Sequence, residues 1–305
     1  AGIVLVALAW MAASGDPMRF VLRQAVPTDY FEREVALPDG WYPVAERLYG
    51  FKQGFNRALI VDSGEGLAVI DTFSPHLTAV LREELARRFP GVPVRWVFYS
   101  HHHLDHIRGA AALAPAEIVA HADLMRFVAD FPEQARQVAP PTRTVEGDQV
   151  LQLGAVEMHM LFMPDSHSRT LYAFHFPAQR VVLAPDMAFV RSFPPFGLPD
   201  WYYPGYMRAL DRIAALDFDT IVPSHAAPAP KAEFLAFRGM MADFREAAHT
   251  ALMQRGGEAT DGKLMQDIFD EVYPRLAARY GDWHGFHAMF VPHFFGQIGG
   301  EYLGY

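Results

Sequence analysis

Phe98-Tyr99-Ser100-His101-His102-His103-Leu104-Asp105-His106-Ile107-Arg108-Gly109 follows directly on the apolar run Val94-Arg95-Trp96-Val97. Inside it sits His-x-His-x-Asp-His, so that His101, His103, Asp105 and His106 place four metal-competent side chains within six residues. In an extended segment, residues two apart share one side. His101 and His103 can therefore grip one ion together, while Asp105 and His106, at the following turn, reach a second ion beside it. Three histidines in a row also occur in expression tags, but a tag lies at a terminus and lacks the Asp-His continuation. Imidazole and carboxylate at this density are the ligand types that zinc takes.

One loop cannot complete a two-metal cage, and the remaining candidates stand further along the chain. His167 lies in Met163-Pro164-Asp165-Ser166-His167-Ser168-Arg169-Thr170, between the apolar runs 156–163 and 171–176. Asp186 ends Arg180-Val181-Val182-Leu183-Ala184-Pro185-Asp186, and His225 ends Thr220-Ile221-Val222-Pro223-Ser224-His225. Each closes a strand-like segment, where a sheet edge gathers loops into one cleft. A lone histidine near a strand end is commonly structural. It is the order and the shared placement that make the set specific.

From about Tyr42 to about Pro228 the chain resembles the metallo-β-lactamase superfamily, on His101-x-His103-x-Asp105-His106 followed by His167, Asp186 and His225. The resemblance implies an α/β (α+β) fold, a four-layered αββα sandwich with the metal site on one edge of its two sheets. It further implies His101, His103 and His167 on a first metal, Asp105, His106 and His225 on a second, and Asp186 bridging them. The implied cofactor is a pair of divalent ions, zinc first, with iron or manganese as alternatives. Asn56–Val61 and Gly66–Thr72 look like the family's first hairpin. Asp71 at its end is either a partner orienting the ligand loop or a strand-end turn residue. The family commonly has glycine on either side of the last ligand and before the third. Here the residues are Ser166-His167-Ser168 and Ser224-His225-Ala226, which puts the contour of those loops in doubt because glycine permits backbone angles that serine and alanine do not.

The resemblance, closer to the thioesterase and lactonase branches than to the dedicated β-lactamases, implies a metal-dependent hydrolase of an ester, thioester or lactone. Water is the nucleophile, with Asp105 as the catalytic residue that orients it and shuttles its proton. The same ligands leave an iron-dependent sulfur dioxygenase or a β-lactam hydrolase as alternatives. The substrate is a small molecule. A formal charge of −9 argues against a phosphate backbone as partner. Cysteine is absent, which excludes disulfides, a thiol nucleophile and a cysteine-containing metal site. The sequence leaves the oligomeric state open, a homodimer included.

Residues 1–15 read as the remnant of a signal peptide: Ile3 to Met11 is apolar and short, and Ala12-Ala13-Ser14-Gly15 supplies small residues for cleavage. Export to a periplasm or the exterior follows from that reading; an N-terminal core strand and a cytoplasmic protein form its alternative. No other segment is apolar enough to span a membrane. Residues 16–230 then form the metallo-β-lactamase-like domain and 231–305 a C-terminal helical extension packed on it.

Periodicity predicts strands at 44–51, 57–62, 67–71, 117–121, 142–145, 148–153, 155–163, 170–176 and 179–184, with helices at 76–89, 122–130, 231–254 and 262–280. The tail 283–305 reads only as aromatic and glycine-rich. Between Asp186 and the next helix, seven aromatic or proline residues fall within 193–202, a candidate wall for an apolar pocket. Arg191 in that stretch reads as a surface arginine. His102 is near enough to the ligands to support them, whereas His284, His287 and His293 lack the acidic partners of a second metal site.

Overall fold

The computed structural model describes residues 37–194, 201–259 and 261–304; the signal-peptide reading of residues 1–15 and the centre of the aromatic stretch lie outside the described residues. Among the described residues, thirteen strands form two sheets. The first runs in the order β1 (Gly40–Ala45), β2 (Leu48–Gln53), β3 (Asn56–Asp62), β4 (Leu67–Ile70), β5 (Val94–Phe98), β6 (Glu117–His121) and β7 (Arg143–Val145). The second runs β13 (Ala229–Pro230), β12 (Thr220–Val222), β11 (Val181–Leu183), β10 (Tyr172–Phe176), β9 (Val156–Phe162) and β8 (Gln149–Leu153).

Alternation along the strands explains the layering, because successive side chains point to opposite faces. Leu59 and Val61 of β3, with Ala68 and Ile70 of β4, enter the core between the sheets, where they meet Met158, Met160, Tyr172 and Phe174. Their neighbours Ala58, Ile60, Leu67 and Val69 face outward onto helix α1 (Pro75–Arg88) through Leu81 and Leu85. The far face of the second sheet is covered by α5 (Tyr203–Ala214), α6 (Lys231–Met253), α7 (Gly262–Tyr280) and α8 (Phe286–Leu303), which share one core cluster with it. Three short helices, α2 (Leu104–Ile107), α3 (Leu124–Val128) and α4 (Pro132–Ala135), lie in the β5–β7 connections. The result is the four-layered αββα sandwich.

Two stretches differ from their sequence reading. The single strand expected over 44–51 is a hairpin: Ala45 pairs with Leu48, and Arg47 turns the chain at φ 62°. No glycine or asparagine marks that turn, so the apolar pattern runs through it. The tail is helical over Phe286–Leu303 despite Pro292 and three glycines. Those residues lower helix propensity, but Phe286, Met289, Phe290, Phe294 and Ile298 recur at helical spacing and are buried. Tertiary burial outweighs propensity here.

The topology sets the site. β4 and β5 are parallel, as are β11 and β12, so the C-terminal ends of each pair open onto one edge. Asp71, His101, Asp186 and His225 all follow those ends. Among the described residues no helix is long and apolar enough to cross a membrane.

Candidate metal centre

The structure brings all seven sequence-predicted side chains together in two adjoining groups, His101–His103–His167–Asp186 and Asp105–His106–His225, each with ligand-type atoms within 4.8 Å of one another. In the first group, Nδ1 of His103 and Nε2 of His167 converge to 3.0 Å. Between the groups lies the Asp186 carboxylate. Its Oδ2 stands 3.1 Å from His167 Nε2, 3.2 Å from His106 Nε2 and 3.5 Å from His101 Nε2, and its Oδ1 stands 3.1 Å from His225 Nε2. Asp105 Oδ2 completes the second group, 3.4 Å from His106 Nε2 and 3.5 Å from His225 Nε2.

Three of the rings, His101, His106 and His225, are oriented from behind. Asp71 Oδ2 accepts from the Ser100 hydroxyl at 2.8 Å and lies 3.0 Å from His106 Nδ1. Because the Ser100 proton is given to Asp71, its oxygen accepts from His101 Nδ1 at 2.8 Å. His225 Nδ1 donates to the Phe55 carbonyl at 3.2 Å, and the Phe55 ring stacks on His225 at 4.1 Å. In the neutral form of these three rings the proton sits on the rear nitrogen, and the forward Nε2 offers a lone pair. His102 ties the motif to the His167 loop through Ser168 Oγ at 3.0 Å and Thr170 Oγ1 at 3.1 Å.

Ser100 and Ser224 were not singled out by sequence reasoning. Ser224 Oγ accepts from the Asp186 backbone N–H at 2.9 Å and donates to Asp186 Oδ1 at 2.7 Å. The residues standing where the family commonly has glycine keep negative φ, since none of Ser166, Ser224 or Ala226 is among the left-handed residues. The strain falls instead on Asp71 at φ 63° and Asp186 at φ 53°. A serine beside each would-be ligand is a weak signal in sequence, because serine is common in any loop.

The donor set fits a pair of cations. Nε2 of His101 and of His106 are buried and make no hydrogen bond, although an unsatisfied buried polar atom costs ~1–3 kcal/mol. Burial, with His106 and His103 nearby, holds the His101 imidazole well below its usual range. For His106 burial acts in the same sense, but the carboxylates of Asp186, Asp105 and Asp71 outweigh it and raise the ring well above. Asp186 is held well below the carboxylate range: burial opposes its charge, and the rings of His106 and His225 win. Such mutual polarisation belongs to a cage built for positive charge.

The aromatic stretch divides in two. Phe193 packs into the core against Phe244, Phe286 and Phe290, whereas Trp201 stands at 6.0 Å from His167, perpendicular to it. Arg191 is on the surface, 3.9 Å from Asp282.

Fold and site together define a metallohydrolase-type sandwich with a histidine–aspartate metal cage. The family model of the metallo-beta-lactamase superfamily matches residues 52–225, and the chain belongs to that superfamily. Over 230 residues it is 28% identical to the 2,4-dinitroanisole O-demethylase subunit alpha of Nocardioides sp. (strain JS1661), covering 74% of this chain and 68% of that one. Among solved structures it resembles the inverting sec-alkylsulfatase Pisa1 from Pseudomonas sp., with TM-score 0.63 and 17% identity over 83% of this chain. This chain spans about half the length of that sulfatase, 53%. A metallo-beta-lactamase from Pontibacter korlensis matches with TM-score 0.57 and 16% identity, covering 66% of this chain and 98% of that one. At such identities these structures speak for the fold.

Proposed function

We propose that the protein is a metal-dependent hydrolase that cleaves an ester, thioester or lactone of a small, largely apolar molecule. One observation carries this reading: seven side chains converge as two adjoining ligand groups around the Asp186 carboxylate. We assign His101, His103 and His167 to one divalent ion, Asp105, His106 and His225 to another, and Asp186 to both. Zinc suits these nitrogen and oxygen donors. Two such ions would polarise the scissile bond and lower the pKa of water toward ~7.

The chain's own groups supply the rest. Asp105, the catalytic residue in this reading, has its side chain 45% exposed, where His106 and His225 beside it are buried. Burial opposes its charge, yet His106 and His225 keep the carboxyl below the usual range. It can accept the proton of the attacking water and return it to the leaving group. Phe55 and Trp201 bound the site with ring surface, so an apolar substrate displaces water from it.

A second reading, an activated aryl methyl ether, is favoured by the O-demethylase relative. Water then adds its oxygen, the C–O bond breaks, and a phenol and methanol leave with no oxidant consumed. Purified protein assayed for metal and against aryl esters, lactones, thioesters, 2,4-dinitroanisole, an alkyl sulfate and a β-lactam tests both. The expected result is chelator-sensitive hydrolysis of an ester, thioester or lactone, with two zinc ions per chain. Turnover of 2,4-dinitroanisole alone selects the second reading. One iron per chain with sulfur oxidation, or metal-loaded protein inert on the whole panel, overturns both.

A further inference from the structure

We infer that His293 of α8 is a positioning residue for the candidate centre: from behind, it holds Trp201 and Tyr203 in place beside His167 and so sets which substrates fit. This rests on the hydrolase reading for its substrates, but not for its geometry.

His293 is fully buried, and both its ring nitrogens are engaged. The Pro194 carbonyl, 3.0 Å from Nε2, can only accept, so Nε2 carries the proton. Nδ1 is therefore the acceptor and takes the Tyr203 hydroxyl in a short hydrogen bond. One imidazole thus joins Pro194 to Tyr203. Its ring also packs at 5.0 Å against Phe193 and at 5.0 Å against Trp201.

The residues that His293 holds lead to the ligands. Trp201 stands against His167, and the Tyr202 N–H donates to the Ser166 carbonyl at 3.1 Å, one residue before that histidine. Tyr206 packs on Trp201 at 4.6 Å, and its hydroxyl donates to the Met187 carbonyl at 3.2 Å, one residue after Asp186. On the other side the Phe193 N–H donates to the His284 carbonyl at 2.8 Å, so the segment before α8 holds Phe193 as well. The helix that sequence reading left as an aromatic tail is thereby coupled to the metal cage through two contacts, His293 to Trp201 and Trp201 to His167.

The chemistry selects histidine. A buried position that must donate to one oxygen and accept from another needs a neutral group with both functions. Imidazole has both, and so does an amide; phenylalanine, of similar bulk, has neither. A group retained only to fill the core would not need them.

The test compares His293→Phe, His293→Gln and Tyr203→Phe with the parent protein. Metal content, circular dichroism, steady-state kinetics over substrates of increasing bulk and the ¹⁹F resonance of fluorotryptophan at Trp201 (assigned by Trp201→Phe) are measured in each. Expected are unchanged metal content, a KM for the bulkiest substrate raised about 5- to 10-fold with kcat within about 2-fold, and a displaced Trp201 resonance in His293→Phe. His293→Gln should restore KM and resonance, and Tyr203→Phe should move both in the same direction by less. If His293→Phe does not fold, Tyr203→Phe alone decides. A Trp201 resonance and substrate ranking unchanged by loss of the hydrogen bonds would overturn the inference. So would equal damage in His293→Gln, or loss of metal in step with activity. Should the parent bind metal but hydrolyse nothing, the hydrolase reading fails while the Trp201 resonance still decides this one.

Discussion

Asp71 Oδ2 stands 3.0 Å from His106 Nδ1, and through the Ser100 hydroxyl the same carboxylate also fixes His101. One buried side chain therefore orients a ring in each ligand group. It does so from a left-handed backbone, φ 63°, that aspartate and asparagine tolerate better than other residues carrying a Cβ.

Asp71→Asn tests this orienting role with the backbone preserved. The amide keeps one acceptor but cannot serve both His106 and Ser100 as a charged acceptor. Metal affinity should fall about 10- to 100-fold, the usual cost of losing such a partner, while circular dichroism stays unchanged. Titration against a competing chelator measures it. Full affinity would make Asp71 a turn residue and nothing more.

Ser224→Ala probes a residue that stands where the family commonly has glycine. Its hydroxyl both accepts from the Asp186 N–H and donates to Oδ1, holding the carboxylate in its plane. Without it, Asp186 should rotate, and the more weakly held ion should lose roughly 10-fold in affinity. Isothermal titration of the metal-free protein with zinc would show one step weakened and the other intact; two unaltered steps would remove Ser224 from the site.

Acid stability should report His293. Burial depresses its pKa to about 4, against ~6.5 in an unfolded chain. Between those values the unfolded state binds the extra proton, so stability is full above pH 6.5 and falls as pH drops toward 4. At pH 5 the loss is about 2 kcal/mol. Urea midpoints at pH 7.5 and pH 5, in chelator to silence the metal ligands, should therefore drop further for the parent than for His293→Gln. Equal drops would show that the ring is not buried neutral.

Much of the site was legible because metal chemistry restricts residue type and parallel strands restrict position. His101-x-His103-x-Asp105-His106 could be read from one loop, and His167, Asp186 and His225 from strand-end placement, since both constraints are local. Asp71 was legible as an alternative, and the hydrogen bonds decide for orientation. Ser100 and Ser224 were not, since a hydroxyl gains its role only when the fold brings it to a carboxylate. The Arg47 turn escaped because a non-glycine residue takes positive φ there. Helix α8 escaped because Pro292 and its glycines argue against it locally, while the burial that stabilises it, against α6 and the adjoining α7, is a tertiary effect.

Asp186→Asn separates a bridging carboxylate from a merely structural one. Two dications held side by side repel each other, and a shared carboxylate reduces that repulsion and sets their spacing. Asp186 is placed for this, with Oδ2 facing His101, His106 and His167 and Oδ1 facing His225. Asparagine tolerates the left-handed φ of 53° and can keep its carbonyl on Ser224. That choice turns the amide NH2 toward the histidine lone pairs, where it donates and competes with a cation. The first ion should still bind through His101, His103 and His167, and the second should be lost on dialysis. Turnover should fall at least ~100-fold and recover only in part with excess zinc, because affinity is restored by mass action but the lost charge is not. Metal stoichiometry after dialysis and hydrolysis of the same sample are the paired measurements. Two tightly held ions with unchanged turnover would remove Asp186 from the bridge and require the paired centre to be rebuilt on other ligands.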